Sequence, residues 1–294
     1  MIIQMTASQN VLKDYIALTK PRIISLLLVT ALGGMFLGAG GLPQISLVLF
    51  VLGGGTLAAA GANALNHFMD RDIDQLMERT RSRPVARGTI RPRNAVIFGV
   101  VLNVLAFLLL STVNILCAIL TLSATLFYVF IYTKVLKRST TQNIVIGGAA
   151  GSIPPMVGWV AVTGYLGLPA LYLFAIIFFW TPPHFWALAL LLKDDYARAG
   201  IPMLPVIVGV EQTKKSIFLY TLLVTALTMM FFTTGVLGWL YLGISSVLGI
   251  GFIYFAWRLW RQPGIGGAKP LYLYSIAYLA LLFLGIMVAS SFDI

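Results

Sequence analysis

Charged residues are scarce in this chain. Only 10% of its 294 residues are Asp, Glu, Lys or Arg, whereas soluble domains carry about 25%. Hydrophobic residues make up 59% of the chain, and the mean hydropathy is +0.93. This composition argues against a soluble domain. It indicates a polytopic membrane protein built as one helical unit.

Cysteine is almost absent as well. The single cysteine, Cys117, lies inside an apolar run, which excludes an intramolecular disulfide and a cysteine-based metal site. The first twenty residues lack the charged-then-apolar layout of a cleavable signal, and they are not Arg-rich like a transit peptide. We therefore expect the mature chain to begin near Met1.

Nine apolar runs are long enough to cross a bilayer, and turns rich in glycine and proline separate most of them. We predict an all-α protein of one domain, residues 1–294, with nine transmembrane helices around a central cavity. The predicted spans are residues 23–40, 45–64, 94–113, 115–133, 143–163, 169–192, 216–237, 239–257 and 271–291.

The basic residues are distributed unevenly along the chain. All 20 lie in the amino-terminal arm (1–22) or in the loops that follow even-numbered spans, chiefly 71–93 and 193–215. By the positive-inside rule these segments and the amino terminus are cytoplasmic, and the carboxyl terminus with Asp293 is outside. The net charge of +11 is thus explained by membrane topology, and we expect no nucleic-acid partner.

Carboxylates gather at the end of the second span. Asn66, Asp70 and Asp74 are four residues apart, so on a helix they share one face, whereas Asp72 points to the other side. Two carboxylates and a carboxamide at the mouth of an apolar segment are costly unless a cation is held there. The pattern therefore predicts a cation site.

A second acidic pair, Asp194 and Asp195, follows the sixth span. If this pair faces Asp70 and Asp74, the carboxylates can hold Mg²⁺, which usually takes one or two carboxylates, waters and substrate phosphates. We assign Asp70, Asp74 and Asp195 as metal ligands, with Asn66 and Asp194 as further catalytic candidates. The adjacent aspartates leave open which of the two faces the metal.

The surrounding cations suit an anionic ligand, because guanidinium forks match phosphate oxygens. The 71–93 loop contains proline and glycine, which resist a continuous helix, and it is predicted to be a lid over a diphosphate. An apolar cavity below would accept a lipid tail. The predicted diphosphate ligands are Arg83, Arg87, Lys134, Lys137 and Arg198, and the predicted cavity lining is Phe127, Tyr128, Tyr132, Trp180, Phe185 and Trp186.

The segment Asn66 to Asp74 (NHFMDRDID) resembles the first aspartate motif of the UbiA-type intramembrane prenyltransferases. Residues 77–84, 132–138, 143–155, 181–186 and 194–205 resemble, more narrowly, the haem-farnesylating branch of that family. The resemblance covers essentially the whole chain. It implies farnesyl diphosphate and haem b as substrates, Mg²⁺, and haem O plus diphosphate as products, formed when a haem vinyl group attacks the farnesyl cation.

This chain departs from the family pattern at two places. His67 stands where the general motif often has Asp, and the second motif has adjacent aspartates where the family has D-x-x-x-D, with Arg198 at the fourth position. His67 is therefore interpreted as a polar group beside the metal site. Gly147, Gly148, Ala149 and Gly151 either allow close helix packing or leave room for a flat macrocycle, and we favour packing.

The two histidines of the chain are candidate haem ligands. His184 follows Pro182 and Pro183, where we predict a helix break that opens the side chain toward the cavity. We therefore expect His184 to contact haem.

Three other hypotheses remain open. The same fold can serve an aromatic or quinone-precursor acceptor, an ion-coupled transporter would also use intramembrane carboxylates, and an assembly subunit would leave the acidic face unexplained. For the prenyltransferase we expect the bacterial cytoplasmic membrane, an active site facing the cytoplasm, contact with membrane lipid, and haem A synthase or a terminal-oxidase assembly downstream.

Overall fold

The computed structural model describes residues 2–292, with side chains from residue 11 onward. Met1 and Asp293, on which the expectations about the two ends of the chain rest, lie outside the described residues. Within them the chain is helical and contains no strand. The helices are α1 Ile2–Thr19, α2 Pro21–Ala39, α3 Ile45–Met69, α4 Arg71–Leu76, α5 Pro92–Ser111, α6 Ile115–Leu126, α7 Lys137–Ser139, α8 Asn143–Gly151, α9 Ile153–Thr163, α10 Leu168–Leu191, α11 Lys193–Arg198, α12 Leu204–Ile207, α13 Val210–Met230, α14 Trp239–Arg261 and α15 Ala268–Phe292.

Nine stretches of the described chain are long and apolar enough to cross a membrane, so the predicted multi-pass helical architecture is confirmed. A π-helix, Phe127–Leu136, joins α6 to α7 within the fourth span, and a 3₁₀ turn, Phe231–Thr234, extends α13. The spans are α2, α3, α5, α6–α7, α8–α9, α10, α13 with its 3₁₀ turn, α14 and α15.

The seventh span begins earlier than predicted. Its helix starts at Val210, so residues 210–215 are helical and not part of the 193–215 loop. Lys214 explains the difference, because its buried ammonium donates to the Gln262 carbonyl at 2.7 Å and to Glu211 Oε1 at 2.8 Å. A lysine that is paired in this way can lie inside a helix end.

Consecutive spans pack side by side, and α15 returns to pack on α2, which closes the bundle into a ring. The contact between α2 and α9 is especially close. A Cβ at Gly158 would lie 1.9 Å from the Ala31 carbonyl oxygen, and one at Gly34 would lie 2.1 Å from the Pro155 oxygen. Only glycine lets two helix backbones approach this closely.

The predicted helix break at Pro182 and Pro183 is wrong, because α10 runs without interruption from Leu168 to Leu191. Both prolines are buried inside the bundle, a setting in which a helix tolerates proline because neighbouring elements can satisfy the carbonyl groups that lose a donor.

The amino-terminal arm and the loops after even-numbered spans meet at one end of the bundle. Lys137, after the fourth span, pairs with Asp70 at 2.6 Å. Arg87, in the loop after the second span, pairs with Asp14 of the arm. The segments that carry the basic residues therefore also form one surface, at the mouth of the ring.

Candidate active site

Asn66, Asp70 and Asp74 lie together at this mouth, each at most 3% exposed. Helix α3 ends at Met69, and α4 begins at Arg71, so Asp70 lies at the junction of the two helices. The backbone amide of Asp70 still donates to the backbone carbonyl oxygen of Asn66 at 2.9 Å, and the backbone amide of Asp74 donates to the backbone carbonyl oxygen of Asp70 at 2.8 Å. The helical spacing thus persists through the junction.

Asp72 lies on the other side, as the spacing predicted. Its carboxylate is exposed and binds the Arg138 guanidinium at 2.7 and 2.8 Å. These hydrogen bonds lower the pKa of Asp72 to about 2. Asp72 therefore belongs to the protein surface and is ionised at neutral pH.

Asp70 is held at one oxygen and free at the other. Its Oδ2 accepts from Asn66 Nδ2 at 2.9 Å and from Lys137 Nζ at 2.6 Å. Its Oδ1 is buried and has no hydrogen-bond partner in the described chain. A buried carboxylate oxygen without a partner is costly, and a bound cation would satisfy it.

Asp74 is covered by the loop between α4 and α5. Arg83 Nη1 donates to both Asp74 oxygens at 2.8 Å, and the Thr80 hydroxyl donates to the Asp74 carbonyl at 3.1 Å. Val85 and Ile90 of this loop pack with Leu18 of α1 in a small apolar cluster. The loop thus folds back over the aspartates, with Arg83 as its contact.

The other predicted anion ligands have different surroundings. Arg87 pairs with Asp14, Arg198 pairs with Asp195, and Lys134 is exposed. Asp195 is buried whereas Asp194 is exposed. A diphosphate role for these three cations stays a prediction.

The oxygen donors fit Mg²⁺ without forming a closed protein cage. Among the described residues, no three His, Cys, Asp or Glu side chains lie close enough to hold one ion. Mg²⁺ does not require such a cluster, since it usually takes one or two carboxylates together with waters and substrate phosphates. Asp70, with its unpartnered Oδ1, fits this role. That Asp74 and Asp195 join it as metal ligands stays a prediction.

Lys20 is the site residue that sequence reasoning missed. Its Nζ donates to Asn66 Oδ1 at 2.8 Å, and it is the one non-glycine residue with positive φ, 53°, in the described chain. Burial and the nearby Arg83 lower the pKa of the Lys20 ammonium to about 7, against the opposing effect of Asp70. The only sequence signal is the following Pro21, which marks a corner between helices but does not indicate Asn66 as the partner.

Tyr196, next to Asp195, also borders the site. Burial raises the pKa of its hydroxyl, while the neighbouring Arg79 and Arg83 lower it. Tyr196 therefore stays neutral at physiological pH and can act only as a hydrogen-bonding group there.

His67 and His184 have contrasting environments. His67 is 2% exposed, and neither ring nitrogen has a hydrogen-bond partner within the described residues. His184 is 8% exposed, stacks on Trp180 and Tyr272, and shares a 2.7 Å hydrogen bond between Nδ1 and the Ser275 hydroxyl.

The predicted cavity-lining aromatics are not equivalent. Tyr128 and Tyr132 stack at 5.7 Å on the helix that carries Lys137. Trp180 and Trp186 are buried, whereas Phe185 is 36% exposed and so is not enclosed by the bundle. Phe127 is partly buried.

The glycines after the fourth span serve packing at two of three positions. A Cβ at Gly147 would lie 2.3 Å from the Tyr132 ring, and one at Gly148 would lie 3.0 Å from Thr181, but Gly151 has open space. The packing interpretation therefore holds for Gly147 and Gly148.

Comparison with protein families finds one match over most of the chain. Residues 27–282 match the UbiA prenyltransferase family.

Curated relatives named protoheme IX farnesyltransferase are about half identical to the chain. The Gloeobacter violaceus protein is 50% identical over 283 residues, which are 96% of this chain and 93% of that protein. The Synechocystis sp. protein is 52% identical over 95% of this chain and 90% of its own length. The chain spans about half the length of other relatives, such as the Roseiflexus sp. protein, which is 50% identical over 95% of this chain and 52% of its own length.

Solved structures share the fold at low sequence identity. A digeranylgeranylglyceryl phosphate synthase superposes with a TM-score of 0.79 at 21% identity, covering 95% of this chain and 98% of that one. A UbiA homologue from Archaeoglobus fulgidus bound to GPP and Mg²⁺ gives a TM-score of 0.67 at 16% identity, with 93% and 99% coverage. At these identities the likeness describes the fold alone.

Proposed function

The chain belongs to the UbiA prenyltransferase family, and from this membership we propose that it transfers a farnesyl group from farnesyl diphosphate to a vinyl group of haem b. The products are haem O and diphosphate, and one water supplies the hydroxyl group of the new side chain. The observation that carries the proposal is the buried group of Asn66, Asp70 and Asp74 with cations around it. The acceptor is taken from relatives that are about 50% identical along nearly their whole length.

The cations would serve the diphosphate. Lys137, Arg83 and Lys20 each contact a site oxygen at 2.6 to 2.8 Å. When the anion arrives, these side chains can exchange a carboxylate or amide oxygen for a phosphate oxygen, since both are good acceptors for charged donors. Their charge then favours departure of the diphosphate from the farnesyl carbon.

Asp70 and Asp74 would hold Mg²⁺, with Asn66 and Asp195 close to the same mouth. When bound, the ion supplies charge neutralisation for the leaving diphosphate. Asp70 contributes its unpartnered Oδ1, and Asn66 orients the carboxylate through Oδ2. Family structures that carry Mg²⁺ with a prenyl diphosphate support this assignment.

The apolar interior would exclude water from the farnesyl chain while the acceptor vinyl group attacks. Tyr128 and Tyr132 lie on the π-helix Phe127–Leu136, which directly precedes Lys137. Aromatic faces stabilise a nearby cation by up to ~2 kcal/mol when desolvated. His184 of α10 would contact the haem.

The predicted lid, residues 71–93, begins with helix α4 and ends in the first residues of α5, so its irregular part is 77–91. This segment would cover the site, with residues 1–22 as its supporting arm. Residues 193–215 would be the second motif segment, of which 210–215 belong to α13. The basic loops support a cytoplasmic active site in the bacterial cytoplasmic membrane, through the positive-inside rule. Delivery of haem O to haem A synthase or a terminal-oxidase assembly is part of the same proposal.

The transporter hypothesis expects carboxylates near the middle of the membrane. Every described Asp and Glu lies instead at the end of a span or in a connecting segment. An aromatic acceptor on the same fold is the alternative that the assay below must separate.

The test is to incubate the detergent-purified protein with farnesyl diphosphate, Mg²⁺ and either haem b or a 4-hydroxybenzoate acceptor, and to separate the products. We expect farnesylated product from haem b alone. Product from the aromatic acceptor, with haem b unchanged, would overturn the haem assignment and leave the prenyltransferase.

A further inference from the structure

Ser275 on α15 forms a hydrogen-bonding arrangement with α10 that the reaction described above does not use. Its hydroxyl is fully buried and lies 2.7 Å from His184 Nδ1 and 2.7 Å from the Tyr272 carbonyl oxygen. Its own carbonyl oxygen accepts from Trp180 Nε1 at 2.9 Å. Ser275 is thus fixed at both backbone and side chain.

These contacts determine where the imidazole proton lies. A serine hydroxyl has one proton, and the Tyr272 carbonyl can only accept, so Ser275 Oγ donates to Tyr272. Towards His184 the same oxygen must then accept, and Nδ1 must carry the proton. The neutral ring therefore presents a lone pair at Nε2, for which the described residues show no hydrogen bond.

The stacked aromatics hold the ring without blocking that nitrogen. Trp180 lies 4.3 Å from the imidazole at 15°, and Tyr272 lies 4.9 Å away at 24°. Both cover ring faces, whereas the Nε2 lone pair lies in the ring plane. A metal approaches a histidine in that plane, which neither stacked ring covers; the third ring neighbour, Phe185, is perpendicular to the imidazole at 5.2 Å and 88°.

The position of His184 along α10 also suits a contact with the acceptor. It lies seven residues before the last residue of α10, Leu191, which is about 10 Å along the helix axis. Asp195 follows just beyond that end. A macrocycle held at His184 would therefore lie below the acidic mouth, on the side where the prenyl tail must enter.

We infer that Ser275 is a positioning residue that fixes the tautomer and orientation of His184, so that Nε2 ligates the iron of the haem acceptor. The inference rests on the proposed function and adds a residue to it. A hydrogen bond to the ring nitrogen that does not bind the metal is the usual way in which proteins orient a ligating histidine and increase its basicity.

The test is haem b binding to the full-length protein in detergent, followed by the Soret spectrum and by the iron–imidazole stretching band of the ferrous complex. We expect His184→Ala to remove the band. Ser275→Ala should weaken haem binding about tenfold or more and move the band to lower frequency, and Ser275→Thr, which keeps the hydroxyl, should restore both.

Ser290→Ala is the matched control, because Ser290 is buried on the same helix and its hydroxyl bonds only to the Ile286 carbonyl. It should behave as the parent. A parental affinity and band in Ser275→Ala, or a parental band in His184→Ala, would overturn the inference even if the parent makes haem O. A parent that shows the predicted band and shifts but makes no haem O would instead overturn the proposed function alone.

Discussion

The paired charges at the site explain how acidic residues persist at the end of an apolar helix. Asp70 and Asp74 are each 1% exposed and are held by Lys137 and Arg83. Removing one partner of a buried pair leaves an uncompensated charge, which costs about 3–5 kcal/mol. The two ion pairs therefore hold the carboxylates in the position where a cation is needed.

The first prediction concerns these carboxylates. We expect Asp70→Asn and Asp74→Asn each to reduce turnover at least about a hundredfold, since each loses a metal-binding charge. Each should also lower the Tm, because Lys137 or Arg83 loses its charged partner, while the protein keeps its helical fold in the membrane. Haem O formation and circular dichroism measure the two effects. Asp72→Asn is the control, because Asp72 faces solvent with Arg138, and its turnover should stay within a few-fold of the parent's. Turnover in that range for Asp70→Asn or Asp74→Asn would contradict the assignment.

The second prediction separates Arg83 from a simple topology determinant. Arg83 donates to both Asp74 oxygens through Nη1 alone. Arg83→Lys keeps the positive charge but loses the planar guanidinium, whose other N–H groups can match phosphate oxygens. We expect the KM for farnesyl diphosphate to rise about tenfold, with unchanged membrane orientation. Steady-state kinetics test this, and Arg138→Lys is the matched control. Equal KM values in the two lysine variants would remove Arg83 from the diphosphate site.

The helix packing depends on glycine at particular positions. At Gly158 the added Cβ of an alanine would meet a backbone oxygen of α2 at 1.9 Å, and a backbone cannot move aside as a side chain can. At Gly151, one helix earlier, nothing lies within 4 Å. The same substitution should therefore have opposite consequences at the two positions.

The third prediction uses this pair. Gly158→Ala should destabilise the protein by about 2 kcal/mol or more through overpacking, which lowers the Tm. Gly151→Ala should be neutral or stabilising, because alanine is the better helix former by about 1 kcal/mol. Thermal unfolding in detergent measures both. The close packing of α2 and α9 would be contradicted by equal Tm values.

The sequence predicted those helices whose position is determined by the residues of the segment itself. Apolar length located all nine spans within a few residues, because bilayer thickness imposes helix length. The unbroken α10 was not predictable, since Pro182 and Pro183 are tolerated only through burial among neighbouring helices. The π-helix over Phe127–Leu136 likewise has no signal in residue type.

The candidate site was predictable where spacing decides and not where distant segments meet. Asn66, Asp70 and Asp74 share one side as a period of four residues requires. The contact of Lys20 with Asn66 spans 46 residues, and that of Ser275 with His184 spans 91. No periodicity in the chain encodes such pairs, because they arise from how the ring of helices closes.

The asymmetry of charge gives the assembled bundle an orientation, and this is the fourth prediction. Native Cys117 is fully buried, so single cysteines can be introduced without removing it. In vesicles of known orientation, a membrane-impermeant maleimide should label Ser82→Cys only from the cytoplasmic side. Leu42→Cys, at a position 86% exposed on the opposite end, should be labelled only from outside. The reverse pattern would contradict the topology.

The molecule combines a cationic, oxygen-rich mouth with an apolar ring of helices beneath it, and the proposed farnesyl transfer requires both. The most direct measurement is the mass of the haem recovered after the purified protein is incubated with haem b, farnesyl diphosphate and Mg²⁺. We predict that the parent converts haem b into a species heavier by one farnesyl group and one hydroxyl, and that Asp70→Asn does not. Unmodified haem from the folded, haem-binding parent, or equal conversion by Asp70→Asn, would contradict the account.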